Sequence, residues 1–246
     1  MLSIIIPTFN EEKYLPGLLK SLQEQTFKDY EIIVADYDSV DATRTIALMA
    51  GARIVGGGRP ARGRNLGAKV ARGEWLLFLD ADVILPSDFL EKAMAELQEK
   101  GFFVASCLID PLSDRKIDRV LHDAVNLGFR ASRKIYPHAP GFCIFIRRWC
   151  HELNDGFNEK LMLAEDCDYV LRASKLCRFG LLKSVRILVS VRRLDRDGRF
   201  NITVKYLASD AHRIFLGPIE SNIFNYQFGY SQDTQKNTGK SVLSRR

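Results

Sequence analysis

Residues 75–83 join a short apolar run to two carboxylates and read Trp75-Leu76-Leu77-Phe78-Leu79-Asp80-Ala81-Asp82-Val83. The run carries no charge and follows Gly73, which is typical of a strand buried on both faces of a sheet. If the strand ends at Asp80, both carboxylates lie on the loop at its carboxyl end, where open α/β sheets bind ligands. Two ionised carboxylates held close together repel each other unless a cation lies between them. We expect a divalent cation that also contacts phosphate oxygens, the alternative being that both residues only cap a turn or a helix.

Apolar segments alternate with amphipathic segments along the first half of the chain. Residues 2–6 form a predicted first strand that Pro7 stops, and residues 30–35 form a second strand that ends at Asp36. Between them leucines recur at helical spacing, after Asn10 as the predicted N-cap. Strands that alternate with helices and short loops indicate parallel βαβ units. The sequence therefore predicts an α/β fold with a mostly parallel central sheet and helices on both faces.

Length and charge limit the kind of protein. The chain has 246 residues, of which 46% are hydrophobic, and this is enough for one large α/β domain or one domain with an appendage. Its net charge of +6 suggests an anionic partner such as nucleotide phosphates, nucleic acid or a lipid surface. A basic, solvated surface explains the charge equally well.

The cysteines and the apolar segments indicate a cellular setting. Five cysteines, at residues 107, 143, 150, 167 and 177, form no C-x-x-C pair, which favours reduced thiols in a cytosol over a disulfide framework or a zinc site. No signal peptide is recognisable at the first residues, and no apolar segment approaches the roughly 20 residues that span a bilayer. We therefore expect a cytoplasmic protein that is soluble or lies on the membrane surface.

The segment from Gly56 to Gly67 is rich in glycine and arginine and has no acidic residue. Glycine lets the backbone approach a ligand closely, and a helix that starts between Pro60 and Asn65 would point N–H groups at an anion such as a diphosphate. The alternative is a flexible glycine loop with solvated arginines. Neither a Walker motif nor a clean G-x-G-x-x-G pattern is present.

The C-terminal part has a different character. Residues 201–232 are expected to form a helical appendage that covers the domain, or an interfacial segment that lies on anionic lipid as a peripheral membrane contact. Residues 233–246 are polar, end in two arginines and are expected to be disordered.

Several motifs in one order carry a resemblance to a known family. They are Ile4 to Glu12, the turn Asp36…Ser39…Asp41, Arg64-Asn65-x-Gly67, Leu79 to Asp82, Pro140-Gly141-Phe142, Gly156-Phe157-Asn158-Glu159 and Glu165-Asp166-Cys167-Asp168. Together they resemble family 2 glycosyltransferases over residues 2 to 200. The resemblance implies the GT-A (nucleotide-diphospho-sugar transferase) fold. Residues 1–100 would be its nucleotide-binding half and residues 101–200 its acceptor half.

The resemblance implies a role for each matching residue. On the donor side, the resemblance implies that Pro7, Thr8 and Glu11 line the nucleoside pocket. It implies that Asp36 contacts the base or the ribose and that Arg64 contacts the base or the diphosphate. It also implies that Asp80 contacts the ribose and a metal ion, and that Asp82 ligates Mg²⁺ or Mn²⁺. The donor would be a UDP- or GDP-linked sugar. On the acceptor side, Asp166 matches the carboxylate proposed as general base, and Glu165 lies beside it. Helix capping alone is the alternative for both.

A second set of residues consists of candidate contacts to phosphate or acceptor, namely Gly141, His138, Arg192 and Arg193. His138 lies between prolines, and a structural role is its alternative; for the two arginines the alternative is surface charge. The turn after Asp36 departs from the family pattern, because Tyr37 and Asp38 replace the usual second carboxylate and glycine. The nucleotide is therefore open, and Tyr37 could stack on a base.

The chemistry of these residue types fits sugar transfer. A sugar leaves with a dianionic diphosphate, so a metal and arginines stabilise growing negative charge, while a carboxylate removes the proton of an attacking hydroxyl. The Gln-x-x-Arg-Trp motif of processive synthases is absent. We therefore expect an inverting enzyme that transfers a single sugar to an acceptor, with a polyprenyl phosphate, a lipid-linked glycan and a soluble metabolite left open.

Two other functions are compatible with parts of this sequence pattern. A sugar-1-phosphate nucleotidyltransferase also uses a nucleotide-binding sheet and metal carboxylates, but it requires a glycine-rich loop with a lysine after the first strand, which Pro7-Thr8-Phe9-Asn10 does not supply. A non-catalytic module that binds an anionic surface is the third possibility. Nucleic acid is not the expected partner, because aromatic residues do not interleave with the basic run.

Overall fold

The strand that begins at Leu2 lies inside an eight-stranded sheet in the computed structural model, which describes residues 1–132, 137, 141–215, 217 and 219. The strands within these residues are β1 (Leu2–Thr8), β2 (Tyr30–Asp36), β3 (Arg53–Gly56), β4 (Trp75–Phe78), β5 (Val83–Ile84), β6 (Val104–Pro111), β7 (Ile144–Arg147) and β8 (Phe179–Val189). The helices are α1 (Leu15–Gln23), α2 (Thr43–Met49), α3 (Pro60–Val70), α4 (Phe89–Lys100), α5 (Lys116–Ser132), α6 (Arg148–Leu153), α7 (Glu165–Leu176), α8 (Arg192–Asp197) and α9 (Arg199–Phe215).

The sheet consists of a parallel half and a mixed half, in the order β3-β2-β1-β4-β7-β6-β8-β5. The first four strands are parallel, as the sequence predicts. β7 runs antiparallel to both β4 and β6, and β5 runs antiparallel to β8. The expectation of a mostly parallel sheet therefore applies to the half formed by β3, β2, β1 and β4, whereas the other half is mixed.

Pro7 does not stop the first strand, contrary to expectation. β1 continues to Thr8, and Pro7 pairs with Ala35 of β2. On its other side β4 pairs with β1 only as far as Ile5. Pro7 therefore faces no ladder there, and a strand tolerates proline where no neighbour needs its missing N–H.

The first helix also begins later than predicted. α1 starts at Leu15, and Asn10 is not its N-cap. Asn10 adopts a left-handed backbone with φ 54°, its N–H donates to Ser39 Oγ, and its Oδ1 accepts the N–H of Val40. Asn10 therefore ties the loop after β1 to the loop after β2, because an asparagine tolerates positive φ and bonds nearby backbone.

Two hydrophobic layers cover the sheet. In β1, Leu2, Ile4 and Ile6 face the layer that includes α1 and α4, while Ile5 faces the layer that includes α3 and α7. This is the two-residue alternation of a strand covered on both sides. Helices thus lie on both faces, and the carboxyl ends of β1, β2 and β4 are left to carry the loops of the site.

One prediction about the cysteines is wrong. Cys150 in α6 and Cys177 at the end of α7 form a disulfide, with Cα atoms 6.5 Å apart. Cys107, Cys143 and Cys167 are not disulfide-bonded. The two bonded cysteines are 27 residues apart in sequence, so their spacing alone did not reveal the pair. The argument from cysteines for a reducing compartment therefore does not hold.

The C-terminal helix is tied to the body of the protein by a buried ion pair. Arg199 Nε and Nη2 donate to the two carboxylate oxygens of Asp118 in α5, at 2.6 and 2.9 Å. This guanidinium lowers the pKa of Asp118 to about 2. The residues from 220 onward, for which part of the appendage and the disordered tail were predicted, lie outside the described residues. Among the described helices, none has the length and apolar character needed to cross a membrane.

Candidate active site

The loop after β4 carries Asp80 and Asp82, as the sequence predicts, and each carboxylate pairs with a different arginine. Arg64 Nη2 lies 2.8 Å from Asp80 Oδ1, and Arg192 Nε lies 2.7 Å from Asp82 Oδ2. The Asp80 side chain is 34% exposed, whereas that of Asp82 is only 11% exposed. The two arginines belong to separate elements, α3 and α8. The loop after β4 therefore connects an element from the first half of the chain with one near the end of the second half.

Arg192 holds two carboxylates at once. Its Nη1 and Nη2 donate to the two carboxylate oxygens of Glu11 at 2.7 and 2.9 Å, in addition to the contact with Asp82. The guanidinium carbon lies 4.2 Å from the centre of the Tyr14 ring, a cation–π distance. Burial raises the pKa values of both Glu11 and Asp82, and the charge of Arg192 opposes that rise. Surface charge, the alternative considered for Arg192, is therefore wrong.

Arg64 links the loop after β4 to the start of α7. Its side chain is 3% exposed, and its Nη1 lies 2.7 Å from Glu165 Oε1 while Nη2 contacts Asp80. Although burial lowers the pKa of this guanidinium, Asp80, Glu165 and Asp166 raise it above the ordinary arginine value. The Phe157 ring lies 5.4 Å from the guanidinium carbon. A Cβ added at Gly141 would collide with the Arg64 guanidinium, so a side chain there would displace that group from its present position.

The first turn of α7 carries three carboxylates that have different hydrogen-bond partners. Glu165 pairs with Arg64, and Asp168 pairs with Arg172 at 2.8 Å. Asp166 is held by backbone groups, because it accepts the N–H of Gly141 at Oδ2 and the N–H of Cys167 at Oδ1. Burial and the neighbouring Asp166 raise the pKa of Glu165. The negative charges are tolerated at this helix N-terminus by the macrodipole.

Asp36 organises the loops at the ends of β1 and β2. It is buried and accepts hydrogen bonds from Thr8 Oγ1, from the Ser39 N–H and from Ser39 Oγ, at 2.9, 3.0 and 2.6 Å. The Tyr37 side chain is 42% exposed beside it, with its ring 5.5 Å from that of Phe9. Asp36 thus has the bonds of a turn former, and its contact with a base or ribose stays a prediction.

The glycine-rich segment becomes the start of a helix, as predicted. α3 begins at Pro60, and its N-terminus follows Gly57, whose N–H donates to Asp36 O at 2.7 Å. A Cβ at Gly57 would lie 2.6 Å from Ala35 O, so only glycine allows this close approach. The N-terminus of α3 therefore lies next to the carboxyl end of β2, where it can face an anion.

The structure gathers most of the predicted residues at one end of the sheet. Pro7 and Thr8 end β1; Glu11, Asp82 and Arg192 form one cluster; Arg64, Asp80, Gly141, Glu165 and Asp166 form a second. Arg193 follows Arg192 in α8 and lowers the pKa of Asp82 through its charge. His138 lies outside the described residues.

Sequence reasoning missed three residues of these clusters: Tyr14, Asn65 as a loop anchor, and Phe157. The Asn65 amide nitrogen donates to Phe157 O, and its oxygen accepts the Phe157 N–H, which fixes the loop that carries the ring beneath Arg64. No local sequence signal marks Tyr14. The motif Gly156-Phe157-Asn158-Glu159 includes Phe157 but does not indicate that its ring contacts Arg64, because that partner lies far away in the chain. The motif Arg64-Asn65-x-Gly67 was the one hint for Asn65.

The donor atoms of the loop after β4 suit a hard divalent cation. Mg²⁺ and Mn²⁺ prefer carboxylate oxygens, and Mg²⁺ commonly uses one or two carboxylates with substrate phosphates as the other ligands. Asp80 and Asp82 fit that pattern, and their present arginine partners show that both positions accept a positive charge. Among the described residues no group of three His, Cys, Asp or Glu side chains is arranged to hold a metal ion. A cation would therefore need oxygen atoms of the ligand.

Comparisons with known proteins agree with this geometry. The chain matches the family model described as Glycosyl transferase family 2 over residues 3–152. Poly(ribitol-phosphate) beta-N-acetylglucosaminyltransferase TarS of Staphylococcus aureus is 30% identical over 183 residues, which are 70% of this chain and 32% of TarS. A Campylobacter jejuni protein, GalNAc(5)-diNAcBac-PP-undecaprenol beta-1,3-glucosyltransferase, is 36% identical over 121 residues, which are 44% of this chain and 38% of that protein. The chain thus spans well under half of the length of these relatives.

Solved structures show the same fold. TarS 1–349 of S. aureus in complex with UDP-GlcNAc superposes with a TM-score of 0.65 at 25% identity, over 86% of this chain and 66% of that one. The mannosyltransferase PcManGT from Pyrobaculum calidifontis, solved with GDP-Man and Mn²⁺, gives a TM-score of 0.69 at 21% identity, over 86% of this chain and 64% of that one. Both are sugar-transferring proteins with the GT-A architecture that the motifs imply.

Proposed function

The chain belongs to glycosyl transferase family 2, and we propose that it moves a single sugar from a nucleotide diphosphate sugar onto an acceptor hydroxyl, with inversion. The observation that carries this proposal is the ion-paired chain from Asp80 through Arg64 to Glu165. It joins the loop that would hold the leaving diphosphate to the helix turn that presents Asp166. This contact supports the proposal that one site would perform both chemical tasks of such a transfer, stabilising a leaving group and removing a proton.

The donor half of the proposal rests on the loops after β1, β2 and β4. The diphosphate would lie between the α3 N-terminus and the Arg192–Arg193 pair, where backbone N–H groups and guanidinium groups match its charge. Asp82, with Asp80, would hold Mg²⁺ or Mn²⁺, which supplies positive charge to the departing phosphate oxygens. Arg192 pairs with Asp82, so a cation held by Asp82 would compete with it, and we propose that Arg192 then turns to the phosphates.

The nucleotide would bind at the edge formed by Thr8, Asp36 and Tyr37. The half-exposed Tyr37 ring, supported by Phe9, offers a flat apolar surface on which a base can stack. The bases of UDP and of GDP both have a flat face, so either nucleotide could stack on this ring.

The acceptor half of the proposal rests on Asp166. Its carboxylate is oriented by two backbone N–H groups, whereas Glu165 and Asp168 are neutralised by arginines. Asp166 would take the proton of the acceptor hydroxyl while that oxygen forms a bond to the anomeric carbon. The bond from this carbon to the phosphate oxygen breaks, and its electron pair leaves with the diphosphate. Attack from the face opposite the leaving group gives inversion.

The proposal is tested by donor binding and turnover. Thermal shifts with UDP, GDP and their sugars, with and without Mn²⁺, should show one nucleotide that raises the melting temperature, and more so with the metal. Asp82→Asn should abolish the effect of Mn²⁺ and lower turnover by roughly a hundredfold or more. Asp88→Asn removes a carboxylate that pairs with Lys92 at the surface and is the matched control. Unchanged donor binding and turnover in Asp82→Asn would refute the proposal.

A further inference from the structure

Helix α5 turns its apolar side outward. Ile117, Val120 and Leu127 are 51%, 62% and 67% exposed. They belong to a set of residues at helical spacing that we call the α5 stripe: Ile117, Val120, Leu121, Ala124, Leu127, Gly128 and Ala131. A surface helix normally places such a stripe against the core. In α5 the arrangement is reversed.

The opposite side of α5 is buried and mostly polar, with Phe129 as its buried apolar residue. Hydrogen bonds from this side to other elements fix the orientation of the helix. Asp118 binds Arg199, and His122 Nδ1 donates to the backbone carbonyl of Asp118 at 2.7 Å. The Asn126 side chain pairs with both backbone groups of Ile109 in β6, at 3.0 and 2.8 Å. A rotation that buried the stripe would break the bonds from α5 to Arg199 and to Ile109, and it would leave buried polar groups unpaired. The outward stripe is therefore a fixed feature of the fold.

The charges beside the stripe indicate its partner. The exposed charged residues of α5 are Lys116, Arg119 and Arg130 against one acid, Asp123. An apolar stripe flanked by basic residues is the pattern of a helix that lies in a membrane interface and contacts anionic lipid. In a symmetric pairing of two copies along this helix, the same basic residues would approach each other, which disfavours a second copy as the occupant.

We propose that the α5 stripe docks on the surface of an anionic lipid bilayer. The apolar side chains enter the boundary between head groups and acyl chains, while the basic residues contact lipid phosphates. Ser132 at the end of α5 and Gly141, which contacts Asp166, are nine residues apart in sequence, so a short segment connects the helix to the acceptor side of the site. If the proposed function holds, a chain docked in this way takes an acceptor that is carried on a lipid. The sequence offers residues 201–232 as another candidate for a peripheral membrane contact, beside their reading as a helical appendage.

Sedimentation with vesicles tests the docking, with the full chain and no donor present. We expect binding to vesicles that contain phosphatidylglycerol, weakened by salt, and much weaker binding to pure phosphatidylcholine. The double variant Val120→Gln with Leu127→Gln should lose roughly tenfold or more in affinity. The control is Leu48→Gln with Met49→Gln, which alters exposed apolar residues of α2 and should bind as the unmodified chain does.

Three results would overturn the proposal. They are no sedimentation of the unmodified chain with phosphatidylglycerol vesicles, equal binding by the α5 double variant, or a dimer in ultracentrifugation that only the α5 variant dissociates. Melting curves of each variant verify that it folds. Binding of UDP or GDP is measured in parallel, so a chain that binds nucleotide but no vesicles refutes the docking alone, and the reverse result refutes the proposed function alone.

Discussion

Arg192 is the residue whose environment most constrains the chemistry of the site. One guanidinium faces Glu11 and Asp82, each about 10% exposed, and stacks on Tyr14. Two buried carboxylates this close together require a cation, whether an arginine or a metal ion. Arg192 thus supplies positive charge beside Asp82, where the sequence predicted a divalent ion.

Replacing this arginine should expose the need for a cation. Arg192→Gln leaves Glu11 and Asp82 without their partner, and we expect a loss of about 3 kcal/mol in the free energy of unfolding by urea. Mn²⁺ should restore part of this loss, because it can occupy the position between the carboxylates. The stabilisation of the unmodified chain by Mn²⁺, measured without nucleotide, should be smaller, since Arg192 competes with the ion for Asp82.

The control is Arg119→Gln, which removes the same charge from an exposed position of α5. It should cost little stability and should not increase the effect of Mn²⁺. Equal stabilisation of both variants by Mn²⁺ would show that the ion binds elsewhere.

His151 links stability to pH. It is partly buried, with Nδ1 2.7 Å from the Tyr169 hydroxyl, and burial together with Arg148 and Arg172 lowers its pKa to about 4. An unfolded histidine titrates near 6.5, so between these values only the unfolded state takes up the proton and stability falls as the pH falls. We expect the titration of His151 to lower the free energy of unfolding by about 2 kcal/mol between pH 7 and pH 5. Urea unfolding at both pH values should show that His151→Gln loses less stability than the unmodified chain; an equal loss would contradict the argument.

At the scale of helices and strands, apolar periodicity predicted most elements, and what it missed depends on distant partners. The strands around residues 4, 32 and 77 and the helix from Pro60 were predictable because each is encoded by a local pattern. The antiparallel direction of β7 was not, since a buried strand reads alike in either direction. Asn10 resembled an N-cap, but its partners Ser39 and Val40 lie about 30 residues away.

The disulfide between α6 and the end of α7 is the strongest constraint between two elements. It closes a loop of 27 residues and should contribute about 3 kcal/mol by limiting the unfolded chain. Urea unfolding of the variant Cys150→Ser with Cys177→Ser should show this loss, and a reducing agent should produce a similar loss in the unmodified chain. The reducing agent should have no effect on the double variant. If it destabilised both proteins equally, another thiol would be responsible.

At the scale of the whole molecule, the site is built from residues that lie far apart in sequence. Glu11 and Arg192 are 181 residues apart, and Arg64 and Glu165 are 101 apart. Residue types and motif order predicted candidate residues that the fold brings together, but the pairing of each carboxylate with its arginine required the folded chain. The same holds for the outward face of α5, because an amphipathic pattern does not reveal which side the protein buries.

The nature of the acceptor determines what Asp166 does, and this can be measured. A hydroxyl acceptor must lose a proton, so Asp166→Asn should lower kcat by roughly a hundredfold or more while binding of the nucleotide stays unchanged. A phosphate acceptor is already ionised and would make the same variant only mildly slower. We expect the large loss, because Asp166 is oriented by backbone N–H groups while its carboxylate neighbours are paired with arginines. Asp168→Asn, which removes the carboxylate bound to Arg172, is the control on the same helix turn and should retain most activity. Turnover of each variant with a lipid-linked glycan and with a polyprenyl phosphate then separates the two acceptor classes, and a mild effect with both would remove Asp166 from the role of base.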